Sequence, residues 1–268
     1  MMSTIVVSVY RDVPSLRTIL YSLNRQTTSN FEVIVSEDGE SSEVRDFLET
    51  QSVFPPSRLR HITQPDVGFR KNKALNRAIK ASKTEHLIFI DGDCVPATNF
   101  ILAHQSQGKG LITAGRRLEL GPRMSERFLK RPSLVRPLSS FWGYFVSAPF
   151  IVIDGGKNIE SGFHCQFLDH LRANRAIELV GCNFSAPKRF LEEVNGFNEE
   201  YESPGIGEDS DIHWRMAALG FRTVSVKFQA ILFHLSHPRN YIVSETNFKI
   251  FNRCKDENEV VARLGLRQ

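Results

Sequence analysis

The amino-terminal part of the chain alternates between short apolar segments and amphipathic segments, and no other feature restricts the fold so strongly. The apolar segments, rich in β-branched residues, predict strands at residues 4–9, 31–35, 58–62 and 85–90. The segments between them have helical spacing, as in Leu16, Ile19 and Leu23, and Asp12 suits the start of that helix. The alternation predicts an α/β fold whose mostly parallel sheet has helices on both faces and binds ligands at the carboxyl ends of its strands.

The size and composition are those of a globular protein with one large domain or two small ones. The chain has 268 residues, of which 41% are hydrophobic and 24% charged. The net charge of +4 is modest, so it indicates anionic ligands without singling out nucleic acid, and we expect no nucleic-acid partner. The cysteines have no CxxC spacing, which favours reduced thiols.

The amino terminus leads directly into the first predicted strand, without a basic leader and a long apolar stretch. No window of the sequence has about 18 consecutive apolar residues. We therefore expect a cytoplasmic protein that carries no secretion signal and does not span a membrane.

Two carboxylates, Asp91 and Asp93, follow the fourth apolar run with one residue between them. Clustered carboxylates without a basic neighbour repel each other unless a cation neutralises them, and hard divalent cations prefer oxygen ligands. The pair also fits an ordinary polar turn, since Asp and Gly are common turn residues. A second acidic pair, Glu37 and Asp38, follows the second predicted strand, so both pairs are expected at the same edge of the sheet.

Residues 115–176 break the alternation and are interpreted as a helical, basic insertion. Seven basic and two acidic residues lie between Arg116 and Arg136, and an aromatic segment follows at 141–145. This pattern is typical of a solvated arm packed by its aromatic residues. Basic and aromatic residues together could also dock on a membrane surface or a lipid-linked acceptor, which would place the protein peripherally on the inner face of a membrane. Regular structure is expected to return at residues 178–181.

Several motifs then occur in one order: VVSVYR, LYSLNRQT, FEVIVSEDGES, PDVGFRKNKALNRAI, LIFIDGDCVP, VGCNFSAPKRFLEEVNGFNEEY, GIGEDSDIHWRMAALGF and AILFHLSHPRN. This succession resembles family 2 glycosyltransferases of the GT-A fold. Its carboxyl-terminal part is similar to the β-1,4-galactosyltransferase and chondroitin polymerase type. The resemblance covers about residues 3–240 and matches the insertion only loosely.

The resemblance implies a domain layout and a reaction. Residues 1–246 would form one GT-A catalytic domain, with a nucleotide-sugar-binding half at 1–114, the insertion at 115–176 and an acceptor half at 177–246; residues 247–268 would form a peripheral helical tail. The implied enzyme is a metal-dependent, inverting hexosyltransferase. It would move a sugar from a nucleotide-sugar, a UDP-sugar in this interpretation, to a saccharide or lipid-linked acceptor in the synthesis of a bacterial surface polysaccharide.

On the donor side, the resemblance places Ser8, Glu37 and Asp38 around the nucleobase and ribose, with Asp38 accepting the imino proton of uracil. Arg70 and Lys73 would approach the diphosphate, although such residues on a helix are by default solvated. The family's usual Asp-Asp-Gly-Ser motif is EDGE here, which leaves the role of Glu37 open.

The resemblance makes Asp91 and Asp93 the motif that holds Mn²⁺ or Mg²⁺ against the diphosphate, with Asp93 the more direct ligand and Asp91 also a donor-binding residue. The family supplies one more ligand from the segment that contains His234 and His237, and it does not decide between these two. A histidine near a strand end is more often a hydrogen-bonded structural residue than a ligand.

On the acceptor side, Glu208 and Asp209 match the Glu-Asp motif at the start of the helix that faces the acceptor. This match implies that Asp209 is the catalytic base and that Glu208 positions the acceptor. A carboxylate there could instead cap the helix, an interpretation that we favour for Asp211. Asn183 matches a position beside the acceptor, although an Asn there also suits a turn. The Trp that galactosyltransferases carry before the motif is absent, so acceptor identity does not carry over.

Two other functional classes remain open. The Asp-x-Asp strand also fits phosphatases of the haloacid-dehalogenase type, in which the first Asp is the nucleophile; those enzymes usually place the motif on their opening strand. A non-catalytic nucleotide-sugar-binding module would require an eroded catalytic motif, and none is visibly eroded.

Overall fold

The computed structural model describes residues 1–107, 110–165, 167–169, 177–238 and 244–267. The strands are β1 (Ser3–Val9), β2 (Phe31–Glu37), β3 (Leu59–Ile62), β4 (His86–Asp91), β5 (Cys94–Pro96), β6 (Ile112–Ala114), β7 (Leu118–Glu119), β8 (Phe184–Pro187), β9 (Thr223–Ser225) and β10 (Leu232–His234). The α-helices are α1 (Val13–Leu23), α2 (Ser42–Thr50), α3 (Lys71–Ala81), α4 (Phe100–Gln105), α5 (Pro122–Lys130), α6 (Val135–Leu138), α7 (Phe141–Ile153), α8 (Lys188–Glu193), α9 (Asp209–Ala218) and α10 (Glu245–Asp256). Short 3₁₀ segments lie at Pro56–Arg58, Pro132–Leu134 and Ile159–Gly162.

The central sheet has the strand order β3-β2-β1-β4-β8-β6-β9. The first four of these strands are parallel to one another, and β8 runs antiparallel to β4 and β6. In the register of β1, Ser8 pairs with Ser36 on one side and with Asp91 on the other. The prediction of a mostly parallel α/β sheet is therefore confirmed, and its carboxyl edge brings the ends of β1, β2 and β4 together.

Helices cover both faces of this sheet because the strand residues point alternately to two apolar layers. Ile5 and Val7 belong to the layer that contains α1, α2 and α5, whereas Val6 and Ile34 belong to the layer that contains α3, α8 and α9. Asp12 caps α1 as predicted, since its carboxylate accepts from the Ser15 N–H at 3.0 Å.

A second sheet of order β5-β10-β7 lies beside the first, and the sequence did not predict it. Its strand β7 and the helices α5, α6 and α7 come from the basic insertion. The insertion is thus largely helical, but it also contributes a strand. Residues 166 and 170–176 of the predicted insertion and residue 268 of the predicted tail lie outside the described residues. Among the residues that are described, no helix is long and apolar enough to cross a bilayer.

Two local predictions were wrong. Residues 178–181 have no regular secondary structure, which returns only with β8 after Asn183. The tail from residue 247 is not wholly helical or peripheral: α10 ends at Asp256, and Leu266 returns to the core between α3 and α8 with 8% of its surface exposed.

Candidate active site

Asp93, His234 and His237 meet in one polar group. Asp93 follows β4, His234 ends β10, and His237 lies three residues later. The Nε2 atoms of His234 and His237 lie 3.3 and 3.0 Å from the same oxygen, Oδ2 of Asp93. Burial by itself would raise the pKa of Asp93, but hydrogen bonds from both imidazoles outweigh it and hold that pKa well below its usual range.

The pairing of β10 with β5 creates this group. His234 lies opposite Cys94, the residue after Asp93, and the Leu235 N–H donates to the Asp93 carbonyl at 2.9 Å. Carboxylate oxygens suit Mn²⁺ and Mg²⁺, and imidazole nitrogens suit first-row transition metals, so these three residues together fit a divalent cation. The Cys94 thiol also borders the group, but it is buried and donates to the other oxygen of Asp93 at 3.1 Å.

Asp91 does not join the two histidines; it pairs with Lys71 instead. The Lys71 ammonium lies 2.9 Å from Oδ1 of Asp91 and 2.8 Å from Oε2 of Glu208. Burial by itself would lower the pKa of Lys71, but the two carboxylates raise it well above its usual value, so the residue is a cation. Lys71 thus links the Asp-x-Asp turn to the residue that precedes α9.

Asp38 lies at the end of β2 and is held by two donors. Its Oδ2 accepts from the Arg70 backbone N–H at 2.7 Å, and its Oδ1 accepts from the Gln64 side chain at 2.8 Å. Each oxygen keeps capacity for a further hydrogen bond, and 7% of the residue is exposed. Ser8, the neighbour of Asp91 in the sheet, is half-buried at the same edge.

Two predicted substrate-binding residues are enclosed by the protein, which contradicts their assignment. Glu37 is fully buried, with one oxygen accepting from the Ser41 N–H and the other 2.8 Å from His61 Nε2. Asn183 is also fully buried: its amide donates to the carbonyls of Arg116 and Ala230, and its oxygen lies 3.1 Å from a His104 nitrogen. Both side chains hold the fold together and have no surface to offer a ligand.

The predicted cations of α3 are also corrected in part. Arg70 is at the edge, but its guanidinium lies 3.0 Å from Glu202. Lys73 is exposed, whereas Lys71, two residues earlier, pairs with Asp91 and Glu208. Reasoning from the sequence missed Lys71 and Gln64. The available signal was position: Lys71 is the first residue of a helix that follows a parallel strand, and such residues point to the ligand-binding edge.

Asp209 is the first residue of α9 and lies half-buried at the site. Its Oδ2 accepts from the Gly181 N–H at 2.9 Å. Glu208 precedes it, and its second oxygen accepts from the Gly205 N–H at 3.4 Å. The helix-cap interpretation of Asp211 is wrong, because this residue is fully buried and pairs with Arg215, whose Nε lies 2.8 Å away.

Glycines shape both acidic turns. A Cβ atom on Gly92 would lie 2.7 Å from the Ser8 carbonyl, so only glycine lets the Asp-x-Asp turn pack against the end of β1. Gly207, just before Glu208, has φ +104°, and a Cβ there would lie 2.1 Å from the ring of Tyr201. Position 207 therefore requires glycine both for its backbone conformation and for its packing.

Comparison with known proteins agrees with this arrangement. Residues 4–107 match the model of "Glycosyl transferase family 2", and residues 162–238 match "N-terminal domain of galactosyltransferase". Residues 4–107 are thus a glycosyltransferase family 2 segment. The two matched segments contain the acidic turns, Lys71, the Glu-Asp pair and both histidines, so the predicted family and its galactosyltransferase-like second part are confirmed.

Curated relatives are distant and longer than this chain. Validoxylamine A glucosyltransferase of Streptomyces hygroscopicus subsp. jinggangensis is 25% identical over 232 residues, which is 81% of this chain and 51% of that protein. Chondroitin synthase of Pasteurella multocida is 24% identical over 220 residues, which is 77% of this chain and 22% of that protein. The chain thus spans about half and about a fifth of these relatives.

Solved glycosyltransferase structures share the fold. The structure of "GalNAc-T7 with UDP, GalNAc and Mn2+" superposes with a TM-score of 0.63 at 11% sequence identity, covering 96% of this chain and 48% of that one. The GT-A fold that the sequence predicted is thereby confirmed.

Proposed function

We propose that this chain is a metal-dependent, inverting glycosyltransferase that moves a hexose from a UDP-sugar to a saccharide or lipid-linked acceptor. One observation carries the proposal: a carboxylate with two imidazoles, a paired lysine and the half-buried Asp209 all converge on the edge of the sheet that also carries Asp38. The family supports the reaction type, and the bound UDP and Mn²⁺ of the structural neighbour support the donor and the metal.

On the donor side, the carboxylate of Asp38 accepts a hydrogen bond from the imino N–H of the nucleobase, using a lone pair that its protein partners leave available. Ser8 contacts the nucleoside beside it. Lys71 lies where the diphosphate approaches Asp91 and supplies positive charge to its oxygens. Asp93 and the two histidines would hold Mn²⁺ or Mg²⁺, which supplies Lewis-acid stabilisation of the leaving nucleoside diphosphate. The Asp91 carboxylate keeps Lys71 in position for that role.

On the acceptor side, Asp209 takes the proton of the attacking hydroxyl. The oxygen of that hydroxyl forms a bond to the anomeric carbon while the bond from that carbon to the diphosphate breaks, so one displacement inverts the configuration. The Gly181 N–H fixes the orientation of the Asp209 carboxylate. Glu208 pairs with Lys71 through one oxygen and accepts from the Gly205 N–H through the other. These two contacts hold the loop before α9, which faces the acceptor, against the donor site.

The class of acceptor is inferred from the relatives. Chondroitin synthase, by its printed name, makes a polysaccharide, and the galactosyltransferase model matches residues 162–238, which include most of the proposed acceptor half. We infer a saccharide acceptor that belongs to a bacterial surface polymer. The phosphatase alternative is disfavoured, because such enzymes usually place the Asp-x-Asp motif on their opening strand, whereas here it follows β4.

A donor panel tests the proposal. Purified protein with Mn²⁺ is incubated with UDP- and GDP-sugars and short oligosaccharides, and nucleoside diphosphate release is followed together with the anomeric configuration of the product. We expect release from a UDP-sugar that stops on chelation of the metal and a product of inverted configuration. Labelling of Asp91 by phosphate, or sugar binding without any transfer, would instead favour the phosphatase or the binding module.

Two variants test the residues. Asp209→Asn should reduce kcat by at least about a thousandfold with little effect on donor affinity, because the base is lost and the fold is not. Asp256→Asn, at the end of α10, is the matched control and should be unaffected. His234→Ala combined with His237→Ala should abolish metal-dependent turnover, and retained turnover in this double variant would contradict the metal site.

A further inference from the structure

Helix α7 exposes an apolar stripe along its whole length. Six exposed positions follow the spacing i, i+3, i+4, i+7, i+8 and i+11 of a single helix face: Trp142, Phe145, Val146, Pro149, Phe150 and Ile153. Phe141 and Val152, which are also exposed, widen this face on one side. Trp142 is 73% exposed and Ile153 is 81% exposed. Contiguous apolar surface of this kind marks an interaction site, because isolated exposed residues would not follow one helix face.

The stripe is held rigidly. On the opposite face of α7, Tyr144 and Ile151 are buried in the core, and the Ser140 side chain caps the helix by accepting from the Gly143 N–H at 3.1 Å. The helix is therefore fully packed on one side, and its outward stripe is a fixed part of the surface.

Cations line one edge of the stripe. Arg127, Lys130 and Arg131 border a groove of about 510 Å³ between α5 and α7, and Phe150 of the stripe forms part of its wall. Lys130 pairs with Glu126, whereas Arg127 and Arg131 make no ion pair within the described part of the chain. The groove combines an apolar wall with unpaired guanidinium groups, which suits a phosphate attached to a lipid.

We propose that the α7 stripe and the basic edge formed by Arg127, Lys130 and Arg131 dock this protein on the surface of an anionic phospholipid bilayer. α7 has 13 residues, so it is about 20 Å long and shorter than the roughly 30 Å of a hydrocarbon core. It would lie in the plane of the interface, with the stripe among the acyl chains and the arginines at the phosphates. This docking is independent of the proposed transfer reaction.

Charge distinguishes a bilayer from a second copy of the chain. In a two-fold contact the same surface is present on both sides, so the basic edges of both copies would come into the contact together. Of the neighbouring carboxylates, Glu126 and Glu160 are paired with Lys130 and Lys227, and Asp154 at the end of α7 accepts from the backbone N–H groups of Arg123 and Met124. A second copy thus brings carboxylates that already have partners, whereas anionic headgroups supply a continuous layer of negative charge.

The docking surface is connected to the active site through β7 and α5. The chain passes from β7, which pairs with β10 beside His234, into α5, and the Ser125 side chain accepts from the Ser236 N–H at 2.7 Å. A bilayer bound to α5 and α7 would therefore have a defined orientation relative to the metal-binding histidines.

Vesicle binding tests the proposal. Protein is sedimented with vesicles of phosphatidylcholine alone or with about one third phosphatidylglycerol, and the fluorescence of Trp142 is quenched with brominated lipid. We expect binding that requires the anionic lipid and quenching that disappears in Trp142→Phe. Failure to bind, or equal binding to neutral vesicles, would overturn the proposal.

Variants separate the stripe from the basic edge. Phe145→Ser with Phe150→Ser, and Arg127→Glu with Arg131→Glu, should each weaken vesicle binding about tenfold or more. Phe248→Ser on α10 and Arg45→Glu on α2 are matched exposed controls and should bind like wild type. If the double serine variant fails to fold by circular dichroism, Ile153→Glu replaces it.

Two outcomes identify another occupant and overturn the proposal. Light scattering that shows a dimer of wild type and a monomer of the stripe variant would assign the surface to a second copy. Binding only to vesicles that contain a polyprenyl-diphosphate saccharide would assign it to a lipid-linked acceptor.

Discussion

Among individual side chains, Lys71 connects the two halves of the site, because its ammonium bridges Asp91 and Glu208. Lys71→Met should reduce kcat about a hundredfold, since it removes a cation near the diphosphate and leaves two carboxylates facing each other. Lys73→Met, two residues further along α3 and exposed, should leave kcat within about twofold of wild type. Steady-state kinetics with the preferred donor compares the two, and equal losses would show that general positive charge on α3, not this bridge, matters.

A buried histidine makes the fold sensitive to acid. Burial, with a smaller contribution from the charged amino terminus, lowers the pKa of His86 to about 4. The unfolded chain binds this proton near pH 6.5, so the stabilisation is complete above that pH and is lost as the pH falls towards 4. The loss amounts to about 3 kcal/mol over this range.

The unfolding free energy of the wild type rises with pH between about 4.5 and 6.5, in part because the unfolded chain binds one proton more at His86 than the folded chain does. His86→Gln should therefore reduce this slope by about the amount that corresponds to one proton. His104 remains in the variant with its pKa lowered to about 3 by burial, so a residual slope of the same sign is expected. Urea unfolding at a series of pH values measures both slopes. An unchanged slope in His86→Gln would show that other groups cause the acid sensitivity.

At the level of structural elements, the turn between β4 and β5 depends on Gly92. Gly92→Ala should displace Asp91 and Asp93, because its Cβ would lie 2.7 Å from the Ser8 carbonyl oxygen. That oxygen belongs to the backbone of β1 and cannot rotate away like a side chain, so the turn itself has to shift. We expect about 1–3 kcal/mol of destabilisation and a larger fractional loss of activity. Gly220→Ala is the control: it meets open space with φ +79°, so it should cost stability without lowering specific activity. Thermal unfolding and specific activity, measured on the same preparations, separate the two effects.

The elements that the sequence predicted well are those with a strong local pattern. The predictions of the alternating strands, of the helices between them and of the cap of α1 were correct, because spacing and capping residues define these features locally. The second sheet was missed because β5, β7 and β10 are only two or three residues long, and their pairing depends on contacts far apart in sequence.

The same distinction applies to the site. The order of the motifs along the chain predicted that four residues lie at the carboxyl edge of the sheet: Asp93, His234, Glu208 and Asp209. This prediction was possible because the succession of strands and helices alone brings the motifs to that edge. It could not show that Glu37 and Asn183 are enclosed, because burial depends on neighbours such as Ser41, His61 and His104 that no motif contains.

Across the whole molecule, the segment at residues 262–266 connects the end of α8 to the apolar layer that contains α3 and α9. Ala262 and Leu266 donate backbone hydrogen bonds to Val194 and Asn195, and the Asn195 amide returns one to the Ala262 carbonyl at 2.7 Å. The Leu266 side chain enters the apolar layer shared by α3, which carries Lys71, and α9, which carries Asp209. The segment therefore stabilises the packing of the two helices that form the site.

Leu266→Ala should lower the unfolding free energy by about 2–3 kcal/mol, because it leaves a cavity in this shared layer. Leu264→Ala is a matched control two residues away; its side chain is 46% exposed, so its cost should stay below about 0.5 kcal/mol. Urea unfolding measures both values. If the layer also aligns the helices, Leu266→Ala will reduce kcat at temperatures where the protein is still folded, whereas unchanged kcat would limit the segment to stability alone.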